Sequence, residues 1–399
     1  MSVDLLTELL DLPQVAVTAY EMPHAEILVL DVETRMPAAT CPRCTHPSTA
    51  LHSVGEPRTV RDLDIWGRRC YLRFRPRQFA CAQCARTFVE RLVWLAPRQH
   101  QTRRFARQVY TLVRRTTVAD AAAYHQVTDE RAESIFLREA TQQVEARGYP
   151  QVRVLHVDEI APHKGHGNYR LVLSSPEVGV LDVLEDRRKE TLEAWFDARG
   201  ANWCAAVEEF HADMWQPYHL AARAKLPNVR TPTADHFHVV KNLNEALAEV
   251  RKAVQRAADA DTRTQLKGCR WLLVKNPADL TDEERERLAA ALQTAAELQT
   301  NYDLKEDFRA IYTLTDPGVA AQRLTEWVEQ AQTVGHQALQ KFVTTVENWR
   351  AEILSFFAGR GSNGFAEGVN TKIKLILRRA FGCPNFTHLR LRILVAFGP

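Results

Sequence analysis

Two groups of residues in this chain are typed and spaced for chemistry. The first is a pair of Cys-x-x-Cys motifs, Cys41-Pro-Arg-Cys44 and Cys81-Ala-Gln-Cys84, with 36 residues between them. Each motif sets two sulfurs on one turn, and four thiolates complete the tetrahedral shell that structural zinc prefers. A redox role would call for one pair at a helix start rather than two matched pairs. The spacing therefore assigns Cys41, Cys44, Cys81 and Cys84 to a single structural Zn2+ per chain. His46 and His52 lie close in sequence and are read as bystanders. The second group is acidic. Asp158 and Glu159 close the β-branched run V-R-V-L-H-V-D-E at 152–159, Asp213 follows a second extended run, and Asp235 a third. Far downstream, Glu367 follows Ser362-Asn363-Gly364, where it falls in the early turns of a helix capped by Ser362 or Asn363.

The elements needed to hold these acids are legible in outline. Residues 152–159, 169–174 and 178–184 read as three successive strands, a meander with turn-rich connections. A helix follows at 189–199, with Leu192, Trp195 and Phe196 at i, i+3, i+4. Residues 203–211 read as a fourth strand running into Asp213, then come a short helix near 218–225 and a fifth extended segment at 228–234. The order is β-β-β-α-β-α-β-α, with acids at the exits of strands one and four. From 237 to 357 nearly everything is helical, over 239–258, 262–275, 282–299, 304–313, 320–334 and 339–357, separated by breakers such as Asn276-Pro277 and Gly335. On the last helix, Ala366, Val369, Ile373, Ile376 and Ala380 make an apolar stripe, while Glu367, Asn370, Thr371, Lys374 and Arg378 line the other face.

These residues resemble a known family. The segments H-V-D-E at 156–159, H-K-G-H at 163–166, A-D-M-W-Q-P-Y at 212–218, A-D-H-F-H-V-V-K-N-L-N-E-A-L at 234–247 and S-N-G-F-A-E-G-V-N-T-K-I-K-L-I-L-R-R-A at 362–380 are similar to bacterial insertion-sequence DDE transposases of the ISL-three (ISL3) family. With the cysteine module, the match runs nearly end to end. It implies a multidomain α+β protein: a zinc-binding module at 1–98, a helix-turn-helix region at 99–149, a ribonuclease H-like core whose first part spans 150–238, an all-helical insertion at 239–358, and a catalytic helix with a basic C-terminal segment at 359–399. It also implies that Asp158, Asp213 and Glu367 are the catalytic carboxylates and hold two Mg2+ ions, with Mn2+ as substitute. Such ions, about 3.5–4 Å apart, would clamp a scissile phosphate, one activating water or a 3′-hydroxyl and the other stabilising the leaving oxygen. No covalent protein intermediate and no general-base histidine is required. His156, His163, His166, His211, His236 and His238 are read as hydrogen-bonding or phosphate-contacting residues. Asp235 and Glu159 are rival acids for the triad, better suited to support it.

Charge points to the same partner. The net charge is only +3, yet residues 41–115 carry sixteen Arg against four acids, and residues 360–399 carry seven Lys or Arg against one acid, so the remainder is acidic. Two basic zones flanking an acidic remainder fit a polyanion, namely nucleic acid. The residues assigned to phosphates are Arg68, Arg69, Arg73, Arg75, Arg103, Arg104 and Arg107 in the first zone, and Lys372, Lys374, Arg378 and Arg379 in the second. The first zone ends in a basic amphipathic helix at 102–115, beyond the cysteine module, with Phe105, Val109, Leu112 and Val113 on one stripe. Two short helices at 118–124 and 129–138 then flank His125-Gln126-Val127-Thr128, which is helix-turn-helix spacing with Gln126 where a glycine is usual. The lone Cys70, Cys204, Cys269 and Cys383 are read as small core residues.

With 45% hydrophobic and 25% charged residues the chain is an ordinary globular sequence of two to three domains. No run approaches a membrane span, and the acidic N-terminus does not suit a signal peptide. A cytoplasmic, nucleoid-associated protein is expected, without disulfides, membrane contact or a small-molecule cofactor. The reading is a transposase that binds the terminal inverted repeats of its element and target DNA, as a homodimer on paired ends, and catalyses cleavage and strand transfer. The alternatives are a ribonuclease H-fold nuclease that cuts without joining, and a non-catalytic zinc-finger and helix-turn-helix regulator.

Overall fold

The computed structural model describes residues 2–161, 169–334, 336–359, 364–381, 383 and 385–398. The chain is a mixed α+β protein that divides into two units, Met1–Gln143 and Val144–Pro399. Among the described residues, no helix is long and apolar enough to cross a membrane.

In the first unit, α1 (Val3–Leu10) packs on a sheet built from β1 (Val15–His24) and β2 (Ile27–Thr34). The small strands β3 (Ala39–Thr40) and β4 (Pro47–Ser48) pair around the first cysteine turn. Then come β5 (Leu51–Val54), β6 (Arg58–Arg61), β7 (Arg69–Phe74), β8 (Arg77–Cys81) and β9 (Arg86–Val89). The sheets run β1-β2-β7-β6 and β5-β8-β9. The segment at 63–79, which lies between the two cysteine motifs, serves two sheets. Trp66 and Gly67 turn with φ of 51° and 73°, and Pro76, which has no N–H to donate, separates β7 from β8. Strand β1 carried no clear sequence signal because only Val15 and Val17 along it are buried.

Three helices complete this unit: α2 (Arg103–Val113), α3 (Val118–His125) and α4 (Asp129–Arg147). Helix α2 buries Phe105, Val109 and Val113. Helix α4 is nine residues longer than the segment read at 129–138, because nothing in 139–147 breaks a helix before Gly148 at φ +60°.

In the second unit the sheet comprises β10 (Val154–Ile160), β11 (Arg170–Ser175), β12 (Gly179–Leu184), β13 (Glu209–Ala212) and β14 (Thr233–Ala234). Its order is β12-β11-β10-β13-β14. The first three strands form an antiparallel meander, and β13 and β14 run parallel to β10. One face carries Leu155, Val157, Leu171 and Leu173 against α5 (Lys189–Arg199), α6 (Ala201–Ala206) and α7 (Gln216–Lys225). The helical region comes between these helices and those of the opposite face. It contains α8 (His236–Ala257), α9 (Ala260–Gln265), α10 (Arg270–Val274), α11 (Asp282–Gln293), α12 (Ala296–Ile311), α13 (Pro317–Thr333), α14 (Gln337–Asn348) and α15 (Arg350–Gly359). The opposite face of the sheet, with Ile160, Val172, Val180 and Val183, is covered by α16 (Gly364–Arg379) and α17 (Phe386–Phe397). Cover on both faces explains why these strands read as nearly continuous apolar runs.

Two strand expectations are corrected. Residues 203–211 were expected as one strand, but Ala201–Ala206 is helical and only Glu209–Ala212 is extended. Alanines at 201, 205 and 206 favour helix, and Trp203 and Cys204 bury a single helical face. Residues 228–234 are extended only at Thr233–Ala234. In the helical region, 282–299 and 304–313 regroup as α11 and α12 with the break at Thr294-Ala295, and Gly268 at φ +84° divides 262–275. A buried carboxylate ties the second unit together: Asp182 accepts from Trp195 Nε1 at 2.8 Å, Tyr149 Oη at 2.9 Å and Arg390 Nε at 2.6 Å. The lone Cys70, Cys204, Cys269 and Cys383 are buried, as expected.

Candidate active site

Register places three acids side by side. Val157 pairs with Ala212 and Ala212 with Ala234 across parallel strands. The next residues therefore lie side by side toward the C-terminal edge of three adjacent strands, Asp158 still within β10 and Asp213 and Asp235 just past β13 and β14, the edge where open α/β sheets hold their ligands. Beneath them, His156 and His211 stack with ring centroids 4.7 Å apart, and Phe365 of α16 leans on His156.

Burial, followed by the charge of Asp213, raises the Asp158 carboxyl to about pKa 6. The Asp158 carboxylate accepts from Asn370 Nδ2 of α16 at 2.5 Å and from the Glu159 N–H at 2.7 Å. Glu367 lies three residues before Asn370 on the same helical face and is exposed. His238, in the first turn of α8, bridges two acids through Nδ1, 2.7 Å from Asp213 and 2.5 Å from Asp235. Burial opposes its charge, but the hydrogen bonds to Asp213 and Asp235 outweigh burial and hold its pKa near 10. An imidazolium thus sits between the two carboxylates at neutral pH.

Adjacent like charges, partly withdrawn from water, fit a divalent cation, whose charge would offset both the burial and the Asp213 repulsion that raise Asp158. Among the described residues, Asp213, Asp235 and His238 have ligand atoms within 4.8 Å of one another. Glu159 points elsewhere. Its carboxylate accepts from Tyr218 Oη at 2.5 Å and faces Arg187 at 3.3 Å.

In the first unit, Cys41, Cys44, Cys81 and Cys84 converge with all sulfurs within 4.8 Å. Cys41 and Cys84 are 3.8 Å apart, and Cys44 and Cys81 are 3.4 Å apart. Four sulfurs at ~2.3 Å from one ion would be spaced by about 3.8 Å, so the cluster fits zinc. Backbone N–H groups of Arg43 and Cys44 lower the Cys41 thiol, and that of Cys84 lowers Cys81, while Cys44 and Cys84 are raised in the same cluster, so the fit to a metal rests on the four-sulfur geometry. After α2, helices α3 and α4 meet at Gln126, which takes the left-handed conformation with φ 51° and ψ 49°. The turn has the backbone a glycine would give, imposed on glutamine. Thr117 and Thr128 accept from backbone N–H groups of Asp120 and Arg131 and start the two helices.

Residues 155–393 match a DDE transposase family of ISL3 type, described as a transposase. The chain belongs to the ISL3 transposase family. Residues 90–140 match the helix-turn-helix domain of that family, and residues 37–84 match the zinc-finger of the transposases of IS204, IS1001, IS1096 and IS1165. The transposase for insertion sequence element IS1001 of Bordetella parapertussis is 29% identical over 360 residues, covering 90% of this chain and 88% of that protein. The transposase for IS1557 of Mycobacterium tuberculosis H37Rv is 29% identical over 258 residues, 59% of this chain and 57% of its own length.

In this transposase several arginines read as phosphate contacts have internal partners. Arg73 pairs with Asp31 and Glu21, and Arg104 grips the fully buried Asp62 and the carbonyl of Leu10. Arg68 donates to the Ala25 carbonyl, Arg75 to that of Gly55 at 3.4 Å, and Arg69 lies 3.5 Å from Glu26. Arg103 and Arg107 are exposed on α2, and Lys374, Arg378 and Arg379 are exposed on α16. Lys372 donates to the Ala396 carbonyl at 2.6 Å. His163, Lys164, Gly165, His166, Ser362 and Asn363 lie outside the described residues.

Sequence reasoning read His238 as hydrogen-bonding without naming Asp213 and Asp235 as its partners, and it missed the roles of Asn370 and Arg187. The i, i+3 spacings of Asp235 with His238 and of Glu367 with Asn370 were available signals. Arg187 offered none, since its partners lie at 159, 169 and 215.

Proposed function

We propose that this transposase binds the terminal inverted repeats of its insertion sequence and catalyses metal-dependent DNA cleavage and strand transfer. The observation that carries the reading is the register of Asp158 and Asp213 on neighbouring parallel strands, supported by the bond from Asn370 to Asp158, since Glu367 lies one helical turn before Asn370 on the same helix. The strand order, third-second-first-fourth-fifth with the last two parallel to the first, supports a ribonuclease H-like core formed by 150–238 and 359–399, with 239–358 as its helical insertion.

Asp158, Asp213 and Glu367 are the residues that would hold two Mg2+ ions, or Mn2+ in their place. When bound, the metal supplies Lewis-acid activation of the attacking hydroxyl and stabilises charge on the leaving oxygen. The chain's own residues do the rest. Asn370 fixes the Asp158 carboxylate, His238 holds Asp213 against Asp235, and Lys374, Arg378 and Arg379 lie farther along the Glu367 helix, where they would meet phosphates. Cys41, Cys44, Cys81 and Cys84 would hold one zinc and so fix the N-terminal module. The helix-turn-helix would read the element end, and a homodimer would pair two ends at the nucleoid.

The test is a cleavage and joining assay on duplexes spanning the native element boundary, with magnesium. Cutting at the boundary, followed by joining of the freed 3′-hydroxyl to a second duplex, is the expected result. Nicked flanks without joined product under conditions where ends pair would favour the nuclease. Binding with no cleavage in magnesium or manganese would favour the regulator.

A further inference from the structure

We infer that Arg187 is a DNA-phosphate clamp at the rim of the acidic site, pre-set by Tyr169, Trp215 and Glu159 to hold the backbone next to the scissile bond. The inference rests on the proposed transposase reading. Arg187 lies in the link between β12 and α5. Its guanidinium carbon is 4.6 Å from the centroid of the Tyr169 ring and 4.8 Å from that of Trp215. Two aromatic faces restrict the planar group to one orientation.

Glu159 anchors the guanidinium loosely. Both contacts run through Nη1, at 3.3 and 3.5 Å, and the carboxylate already accepts a shorter bond from Tyr218 Oη. Among the described residues, Nε and Nη2 of Arg187 meet no acceptor, and the side chain stays 40% exposed. A planar donor edge is thus held rigid and open to water, the arrangement that a two-oxygen anion completes.

Location selects the anion. Trp215 is two residues beyond Asp213, and its backbone N–H donates to the Asp213 carbonyl at 2.6 Å. Tyr218, which holds Glu159, lies in the first turn of α7, the helix that follows Asp213. Glu159 itself leaves β10 on the face opposite Asp158, so the clamp flanks the carboxylates without competing for a metal. Trp215 is 41% exposed, leaving part of its ring for a sugar or base of the same strand. Arg187 adds a positive charge beside the acids, on the side away from Asp158, where a passing phosphate meets it. Pre-setting by the two rings lowers the ordering entropy lost on binding.

The experiment replaces single phosphates near the element boundary by neutral methylphosphonates and measures both affinity and single-turnover cleavage with the full chain. Wild-type protein should lose roughly tenfold at one or two positions beside the scissile bond, as expected for one charge-assisted contact. Arg187→Ala should lose a similar factor on unmodified DNA and be indifferent to the methylphosphonate at those positions. Arg187→Lys, which keeps the charge without the fork, should recover only part. Trp215→Ala, which leaves the Glu159 contact in place, should reduce the same sensitivity. An Arg187→Ala protein that is weakened yet keeps full sensitivity at every phosphate has lost structure instead of a contact, and the inference fails. It also fails if wild-type protein tolerates neutralisation throughout the flanks. Affinity is read without cleavage, so wild-type protein that binds with this phosphate dependence but never cuts would overturn the catalytic reading and leave the clamp standing.

Discussion

Asn370 donates a 2.5 Å hydrogen bond from Nδ2 to Oδ2 of Asp158, joining residues 212 positions apart in the chain. The bond fixes the helix carrying Glu367 against the strand carrying Asp158. Groups that orient a metal-binding carboxylate typically contribute 10- to 100-fold to activity or metal affinity, by roughly that range. Asn370→Ala should therefore slow cleavage about 10- to 100-fold while leaving DNA affinity and thermal stability near wild type. Single-turnover cleavage beside a binding titration checks this, and unchanged cleavage would remove Asn370 from the site.

Asp158→Asn and Asp213→Asn should each abolish cleavage with end binding nearly intact. Each substitution keeps the shape of the side chain and removes the charge a divalent ion takes. Full cleavage by either variant would sink the assignment of that residue.

The cysteine cluster predicts about one zinc per chain by elemental analysis of protein purified without chelator. Cys81→Ser should lose the metal and the soluble fold of the N-terminal module, because metal binding and folding are coupled there. A zinc-free but folded wild-type protein would end this reading.

Arg104 and Arg107 share α2 yet should respond oppositely. Asp62 is fully buried and accepts from Thr102 Oγ1 at 2.6 Å as well as from Arg104. Removing Arg104 strands that charge, so Arg104→Ala should cost about 3 kcal/mol of stability. Arg107→Ala should leave stability unchanged, weaken DNA binding across sequences and reduce the salt dependence by about one ion. Chemical denaturation and binding at several salt concentrations separate the two.

His211 makes the core sensitive to acid. Burial pushes its pKa down to about 4, below the ordinary value of 6.5, so the folded protein holds it neutral. The stability that comes from the neutral ring is fully present above about pH 6.5 and is lost as pH falls toward 4, with a ceiling of about 3 kcal/mol. Urea unfolding at pH 7 and pH 5 should show the loss, and His211→Gln should show less of it. Equal losses in both proteins would assign the acid sensitivity to other groups.

Much of this was legible in the sequence because the governing signals are local. The meander at 152–184 announced itself through β-branched and apolar runs, and Lys189–Arg199 was read to the residue from its i, i+3, i+4 stripe. The four cysteines were legible as a cluster through their spacing, and Asp158 and Asp213 as neighbours through their places at two strands of the core. Local signals failed where tertiary packing overruled them. Ala201–Ala206 is helical because its alanines and the buried Trp203 suit a helix packed on the sheet, and β1 hides behind an exposed and irregular face. Gln126 adopts a glycine-like backbone that its own chemistry does not favour.

The sequence by itself determined which residue types were available for zinc, for a divalent cation and for phosphates, since those depend on donor atoms and short spacings. Only the tertiary structure decided which of them meet. Register along three parallel strands put Asp235 beside Asp213 and placed His238 between them, while strand alternation turned Glu159 to the opposite face from Asp158 and into the hands of Tyr218 and Arg187. The same folding committed Arg73 and Arg104 to internal carboxylates and left Arg107 to solvent. Each outcome depends on partners tens to hundreds of residues away. A charged side chain takes the countercharge that folding brings beside it, and one-dimensional spacing does not encode where that countercharge is.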